Sequence, residues 1–186
     1  MKWFTSDTHF GHANIIKYDN RPFQSIEEHD NELIRRWNVV VKPGDVVYHL
    51  GDFSWHNKEA QVENILRVEN ILSQLNGTKI LIYGNHDSDS VKRSPRWAKV
   101  TPYDEITEQG QKIVLFHYRM VVWNRSHHGS WALHGHSHGS LPVNHDARTF
   151  DVGTMCWSYA PVSFDEVKER MKQHSFVPVD GHKGDR

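Results

Sequence analysis

The sequence predicts an α/β fold, and three observations carry that prediction. Short apolar runs at residues 2–6, 46–50 and 79–83 have the length and composition of buried strands. Between them lie two stretches whose apolar residues recur at helical spacing. Each run ends in a polar, glycine-bearing or acidic turn, at Asp7, Gly51-Asp52 and Gly84-Asn85, where a parallel strand would hand over to the next element.

The first strand covers residues 2–6. Ser25-Ile-Glu-Glu28 has the spacing of a capping box, and Leu33, Ile34 and Trp37 follow at helical intervals, which predicts a helix over 26–39. Lys42-Pro-Gly-Asp45 is a turn that leads into the second strand. Val62, Ile65, Leu66, Ile71, Leu72 and Leu75 mark a second amphipathic helix over 58–75, with Gly77 placed to end it. The third strand closes a strand–helix–strand–helix–strand series, the pattern of a parallel sheet.

The second half reads differently. Residues 103–107 and 112–117 flank Glu-Gln-Gly, the signature of a hairpin. Short strands follow at 131–134 and 149–152. Ser163-Phe-Asp-Glu166 again has capping-box spacing and opens a last helix to residue 173. We expect one domain over 1–175 and a polar tail over 176–186, with Asp180 to Arg186 frayed.

Composition narrows the function classes. Lys plus Arg number 22 and Asp plus Glu 23, for a formal charge of -1, whereas proteins that track long nucleic acid are usually basic. No run approaches the apolar length of a membrane span, and no signal-peptide h-region is seen. A single cysteine, Cys156, excludes an internal disulfide framework and fits a reducing compartment. We therefore expect a cytoplasmic protein with no membrane partner; the oligomeric state is left open. Histidine is the anomaly, at 15 residues, since imidazole is the commonest metal ligand and a proton carrier near neutral pH.

The chemistry-bearing residues lie just after predicted strands, the edge at which open α/β sheets gather their ligands. Asp7-Thr-His9 follows the first strand, Gly51-Asp52 the second, Gly84-Asn-His-Asp87 the third. His117 ends the return strand of the hairpin, and Gly135-His-Ser-His138 follows another. On extended backbone, residues two apart face the same way, so Asp7 with His9, and His136 with His138, can each serve one site. Taken singly these pieces have plainer readings. Gly51-Asp52 is an ordinary turn, Gly-Asn-His-Asp can cap a helix, and His117 can be a satisfied core residue. Their combination after successive strands points to bound metal.

The five pieces, in this order, resemble the signature of the calcineurin-like metallophosphoesterase superfamily: Asp-x-His, Gly-Asp, Gly-Asn-His-Asp/Glu, a lone His and Gly-His-x-His. The opening Asp7-Thr-His-Phe-Gly-His12, with Asn14-Ile-Ile and Arg21-Pro-Phe23, looks like a small bacterial and phage branch of predicted phosphoesterases. The resemblance implies a four-layer α/β/β/α sandwich of two mixed sheets flanked by helices, the metallophosphatase fold. It implies that Asp7, His9 and His138 hold one metal and Asn85, His117 and His136 the other, with Asp52 bridging. His86 becomes the residue that protonates the leaving oxygen, and Asn85 also orients phosphate. Two divalent cations are expected, Mn favoured, with Fe, Zn, Co or Ni compatible with the imidazole–carboxylate set.

The expected activity is hydrolysis of a phosphodiester or phosphomonoester by metal-activated water. A small phosphodiester or nucleotide is the favoured substrate, and extended nucleic acid is not favoured. The alternatives are a nuclease acting on longer strands and a non-catalytic metal-binding scaffold of the same fold. Arg119 is a candidate phosphate contact; His12, Trp123 and Arg125 are weaker candidates, Trp123 reading more naturally as core. His127, His128, His145, His174 and His182 are not expected to be ligands. One departure stands out: many relatives carry Gly-Asp-x-x-Asp, whose second Asp supports the acidic histidine, and here that position is Trp55.

Overall fold

The computed structural model describes residues 1–177 and 179. The segment Asp180 to Arg186, expected to fray, and His182 within it lie outside the described residues. The chain opens with β1 (Lys2–Thr5), passes the short α1 (Ile15–Tyr18) and continues into α2 (Ile26–Val40). The Ser25 hydroxyl accepts the Glu28 N–H at 3.1 Å, so the predicted N-cap forms. Then come β2 (Val46–His49), α3 (Gln61–Gln74), β3 (Thr78–Ile82), the short α4 (Asp89–Lys92) and β4 (Trp97–Thr101).

In the second half, β5 (Tyr103–Glu108) and β6 (Gln111–Phe116) form the expected antiparallel hairpin. Its two-residue turn places both Gln109 and Gly110 at positive φ, 47° and 81°. There follow β7 (Trp131–His134), β8 (Thr149–Asp151), β9 (Val162–Ser163) and α5 (Phe164–Met171). The complete capping box of Ser163 and Glu166 fixes where α5 starts.

Two mixed sheets result, flanked by helices, as the resemblance implies. The first has the order β4-β3-β2-β1-β9, parallel except for β9; the second has the order β5-β6-β7-β8, parallel except for β5. Strand alternation splits the apolar residues of the first sheet between two cores. Trp3, Val47 and Leu81 pack with Leu33 and Trp37 of α2 and with Val68, Ile71 and Leu72 of α3. Phe4, Tyr48 and Ile82 face the other way, onto Ile113, Leu115, Trp131 and Leu133 of the second sheet and Val167 of α5. Full burial of each such side chain contributes about 1.5–3 kcal/mol. Truncating Leu72 to Ala should cost about 2–5 kcal/mol.

Four differences from the sequence reading have physical reasons. The strand β4 was not expected; it is an edge strand with Ala98 and Lys99 exposed, so it lacks a strong alternating signal. Nor was β9, whose two residues are too few for periodicity to register. The second long helix begins at Gln61 rather than at 58 and closes at Leu75, after which Gly77 (φ 86°) turns the chain into β3. Val62, Ile65 and Leu66, expected on its apolar face, are instead exposed, and burial starts in earnest at Val68.

Candidate metal centre

The strands β1, β2 and β3 run parallel in one sheet, and β6 and β7 run parallel in the other. Their C-terminal ends deliver all five loops to one place, where the loops are stitched together. Asp7 N–H donates to Gly51 O at 2.9 Å, His9 N–H to Asp52 O at 3.0 Å, and Gly135 N–H to His117 O at 2.9 Å. The His136 N–H reaches both Asp7 carboxylate oxygens, at 3.1 and 3.0 Å. Asp87 is buried and accepts from the N–H groups of Asp52, Phe53 and Gly84 at 2.8–2.9 Å. It therefore braces the Gly51-Asp52 loop; its carboxylate is turned away from any role beside the His86 ring.

The backbone here is strained. Asp7, His9, Asp52, His136 and His138 all have positive φ, between 47° and 66°. For residues with a Cβ such conformations are costly and collect at functional sites. Close approach also explains two glycines: a Cβ at Gly84 would collide with Asp52 and His117, and one at Gly135 with Ser6 and Asp7.

The side chains converge as two groups, Asp7–His9–His138 and Asp52–His117–His136, with the donor atoms of each group within 4.8 Å of one another. In the first, His9 Nε2 lies 3.2 Å from His138 Nε2, and His138 Nε2 lies 3.5 Å from Asp7 Oδ1. In the second, His117 Nε2 lies 3.5 Å from Asp52 Oδ2 and 3.1 Å from Asn85 Oδ1. Asp52 Oδ2 also lies 3.8 Å from His9 Nε2, so this one oxygen faces both groups.

Hydrogen bonds on the far side of two rings fix what the near side offers. The His117 Nδ1–H donates to Leu50 O at 2.6 Å, because a carbonyl can only accept. The Asp19 carboxylate likewise takes the His138 Nδ1–H at 2.7 Å. In the neutral rings both Nε2 atoms therefore present bare lone pairs to carboxylate or amide oxygens that are acceptors too. Such a gathering of acceptors is satisfied by added protons or by a cation, and the donor set fits a divalent transition metal.

The titration shifts follow the same geometry. Burial disfavours the His138 imidazolium, but its hydrogen bonds to the Asp19 and Asp7 carboxylates outweigh that and push the pKa up to about 10. His117 is opposed by burial but raised to about 8 by the Asp52 carboxylate. His9, whose Nδ1 is buried without a partner, is lowered to about 3 by burial and stays neutral. Burial works against the Asp7 and Asp52 carboxylates, yet the adjacent histidines hold both below their ordinary value.

The remaining candidates divide. His86 is exposed at the rim; its backbone N–H is tied to Asp52 Oδ1 at 2.9 Å and its ring centre lies 5.7 Å from that of His9. Trp55 lies 6.5 Å from the His86 ring, centre to centre, but stacks flat on His12 at 4.1 Å. Arg119 is not brought to the two groups. Its guanidinium donates to Pro142 O at 3.2 Å and lines a separate cavity of about 250 Å³ that contains none of the seven ligand candidates. Trp123 is core, with its indole N–H on Ser130 O at 3.1 Å. Arg125 sits in the turn before Ser126–His128, and the His127 and His128 rings lie side by side there, 4.1 Å apart between centres and tilted by 50°. His174 bonds the Asn144 and Ala147 carbonyls, and His145 lies beside it. Sequence reasoning missed Asp19, which stands two residues before the quoted Arg21-Pro-Phe23 and follows no predicted strand.

Over residues 3–171 the chain matches the model of the calcineurin-like phosphoesterase superfamily domain. The chain belongs to that superfamily. An uncharacterized protein of Methanocaldococcus jannaschii, MJ1445, is 34% identical over 180 residues, covering 94% of this chain and 93% of that protein. The Gene 66 protein of Mycobacterium phage L5 is 27% identical over 194 residues, covering 89% and 91%. Among solved structures, the protein of unknown function AQ665 from Aquifex aeolicus shares 26% identity at a TM-score of 0.68, over 91% of this chain and 98% of that one. Membership in the calcineurin-like superfamily agrees with two candidate metal-ligand groups at the strand ends. Among the described residues no helix is long and apolar enough to cross a membrane.

Proposed function

We propose that the chain is a dinuclear metal-dependent phosphoesterase that hydrolyses phosphodiester or phosphomonoester bonds, with a small phosphodiester or nucleotide as its substrate. The observation that carries this reading is the single Asp52 oxygen that faces His9 on one side and His117 on the other. Asp7, His9 and His138 would hold one cation; Asn85, His117 and His136 the second; Asp52 would bridge. Bound there, two such cations, Mn favoured, would supply Lewis-acid activation of phosphoryl oxygens and of water near neutral pH.

The chain's own residues supply the rest. The Asn85 amide sits on the exposed side of the second group, where it can orient a phosphate oxygen as well as a cation. His86, exposed with its ring centre 5.7 Å from that of His9, would give the departing oxygen its proton. With Trp55 stacked on His12 and Asp87 occupied by backbone N–H groups, neither takes the place of the Asp that supports this histidine in many relatives. The formal charge of -1 favours a small substrate over a long strand.

The test is hydrolysis of bis-p-nitrophenyl phosphate and p-nitrophenyl phosphate by the purified chain with Mn, and again with chelator. We expect turnover, faster on the diester, that the chelator abolishes. No turnover of either, or turnover indifferent to chelator, would refute the proposal.

A further inference from the structure

Behind the first metal-ligand group lies a chain of hydrogen bonds in which every proton can be assigned. Arg21 has a side chain with 0% exposure, and a guanidinium only donates. Its Nη1 points at His29 Nε2, 2.8 Å away, so that nitrogen is the acceptor. His29 must then carry its proton on Nδ1, which donates to Asp30 Oδ1 at 2.7 Å. Asp30 in turn accepts the Gly11 N–H at 2.9 Å. On its other edge Arg21 donates to Asp7 O at 2.9 Å, to Thr8 O at 3.1 Å, and to Asp19 Oδ2 through Nε at 3.1 Å and Nη2 at 3.0 Å. The same Asp19 oxygen accepts the His138 Nδ1–H.

One buried guanidinium thus touches both halves of the first group. Through two carbonyls it holds the Asp7-Thr8-His9 backbone, where Asp7 and His9 sit at φ 56° and 51°. Through Asp19 it sets the ring angle and tautomer of His138, which arrives from another sheet. The second group has a lesser counterpart: His117 is fixed by the Leu50 carbonyl, and the exposed His136 ring leans on Tyr118, with ring centres 4.7 Å apart.

Resting on the two-metal reading above, we propose that Arg21 and Asp19 are positioning residues that preorganise the first metal site, so that it fills ahead of the second and more tightly. An outer partner of this kind orients the imidazole and raises its basicity, and its loss typically costs about 10–100-fold in metal affinity. The planar fork of Arg21 matters as well as its charge, since its five N–H groups make five contacts here and Lys has three donors on one nitrogen.

The experiment is calorimetric titration of Mn into the metal-free full chain, wild type against Asp19→Asn, with the thermal midpoint of each metal-free protein measured alongside. Wild type should show two binding steps. Asp19→Asn should keep the second site at wild-type affinity and weaken the first by about 10–100-fold, even though losing the pairing with the buried Arg21 lowers its metal-free midpoint. Two unaltered steps would overturn the proposal. So would equal weakening of both steps, which is the mark of a residue that only supports the fold.

A second readout needs no variant. In the zinc-loaded wild-type chain, proton–nitrogen NMR should find His138 as the Nδ1–H tautomer with Nε2 on the metal, and the opposite tautomer would overturn the proposal. Both readouts are independent of turnover. A chain that binds metal as described and hydrolyses no phosphoester would sink the functional reading and leave the clamp standing.

Discussion

Asp7 and His9 are buried and His138 is half-buried, with a guanidinium and a carboxylate behind them and the Ser6 hydroxyl on Asp7 at 2.6 Å. Asp52 and His117 are as deeply buried a few ångströms away, but the third residue of that group, His136, and the neighbouring Asn85 are exposed at a rim. The same kinds of donor atom are used in both groups; their surroundings differ. A group backed in this way favours tight, early metal binding, because little freedom remains to be lost on binding. An exposed rim leaves coordination positions that substrate oxygens can reach. Within the proposed two-metal reading the contrast points to a division of labour: the first group would anchor, and the second, with Asn85 exposed beside it, would meet the substrate.

The largest effect that could break this picture comes from Asp52, the residue shared by both groups. Asp52→Asn is expected to lower the hydrolysis rate on the order of 10³-fold, the scale of losing a central electrostatic stabiliser, and to leave at most one metal per chain by elemental analysis. Unchanged stoichiometry and rate would refute the bridge. His86→Ala comes next. Turnover should fall about 10²-fold or more, most for poor leaving groups, with both metals retained; loss of the metals would make His86 a ligand.

A smaller effect separates the two groups directly. His136→Ala should leave the first site at wild-type affinity, whereas His138→Ala should abolish the tight step and leave the weak one. Calorimetry reads both, and identical profiles for the two variants would erase the asymmetry.

The smallest effect is on pH dependence. In the metal-free chain His138 and His117 have pKa values raised to about 10 and about 8, above the ordinary value of 6.5. Groups raised in this way stabilise the fold below pH 6.5, and that contribution is lost as pH rises through 8 and then 10. The metal-free thermal midpoint should therefore decline between pH 6.5 and 10. Metal binding displaces those protons, so the loaded chain should be flatter over the same range, and a flat metal-free profile would contradict the geometry of both rings.

Much of this site is visible in the sequence because of how α/β folds are built. A parallel strand must end in a loop, so Asp7, Asp52, Asn85, His117 and the His136–His138 pair announce themselves by position after apolar runs. Asp19 and Arg21 carry no such mark. Their partners lie far along the chain, 119 residues away for Asp19 and His138, and a hydrogen bond between isolated polar residues has no period. The orientation of Asp87 is hidden for a related reason, since only the loop's backbone decides whether its carboxylate meets N–H groups or a ring. Arg119 shows the reverse error, where closeness in sequence to His117 does not bring its guanidinium to the two ligand groups. In the fold, α3 is legible as a helix, yet Val62 and Leu66 lie exposed, off the face that Asn64, Val68, Ile71 and Leu72 bury.

Titration of the metal-free chain with Mn, following heat and bis-p-nitrophenyl phosphate hydrolysis on the same samples, tests the central claim most directly. The account predicts that the first equivalent binds tightly with little turnover and that hydrolysis rises only as the second site fills. Full activity at one equivalent, or none at two, would contradict it.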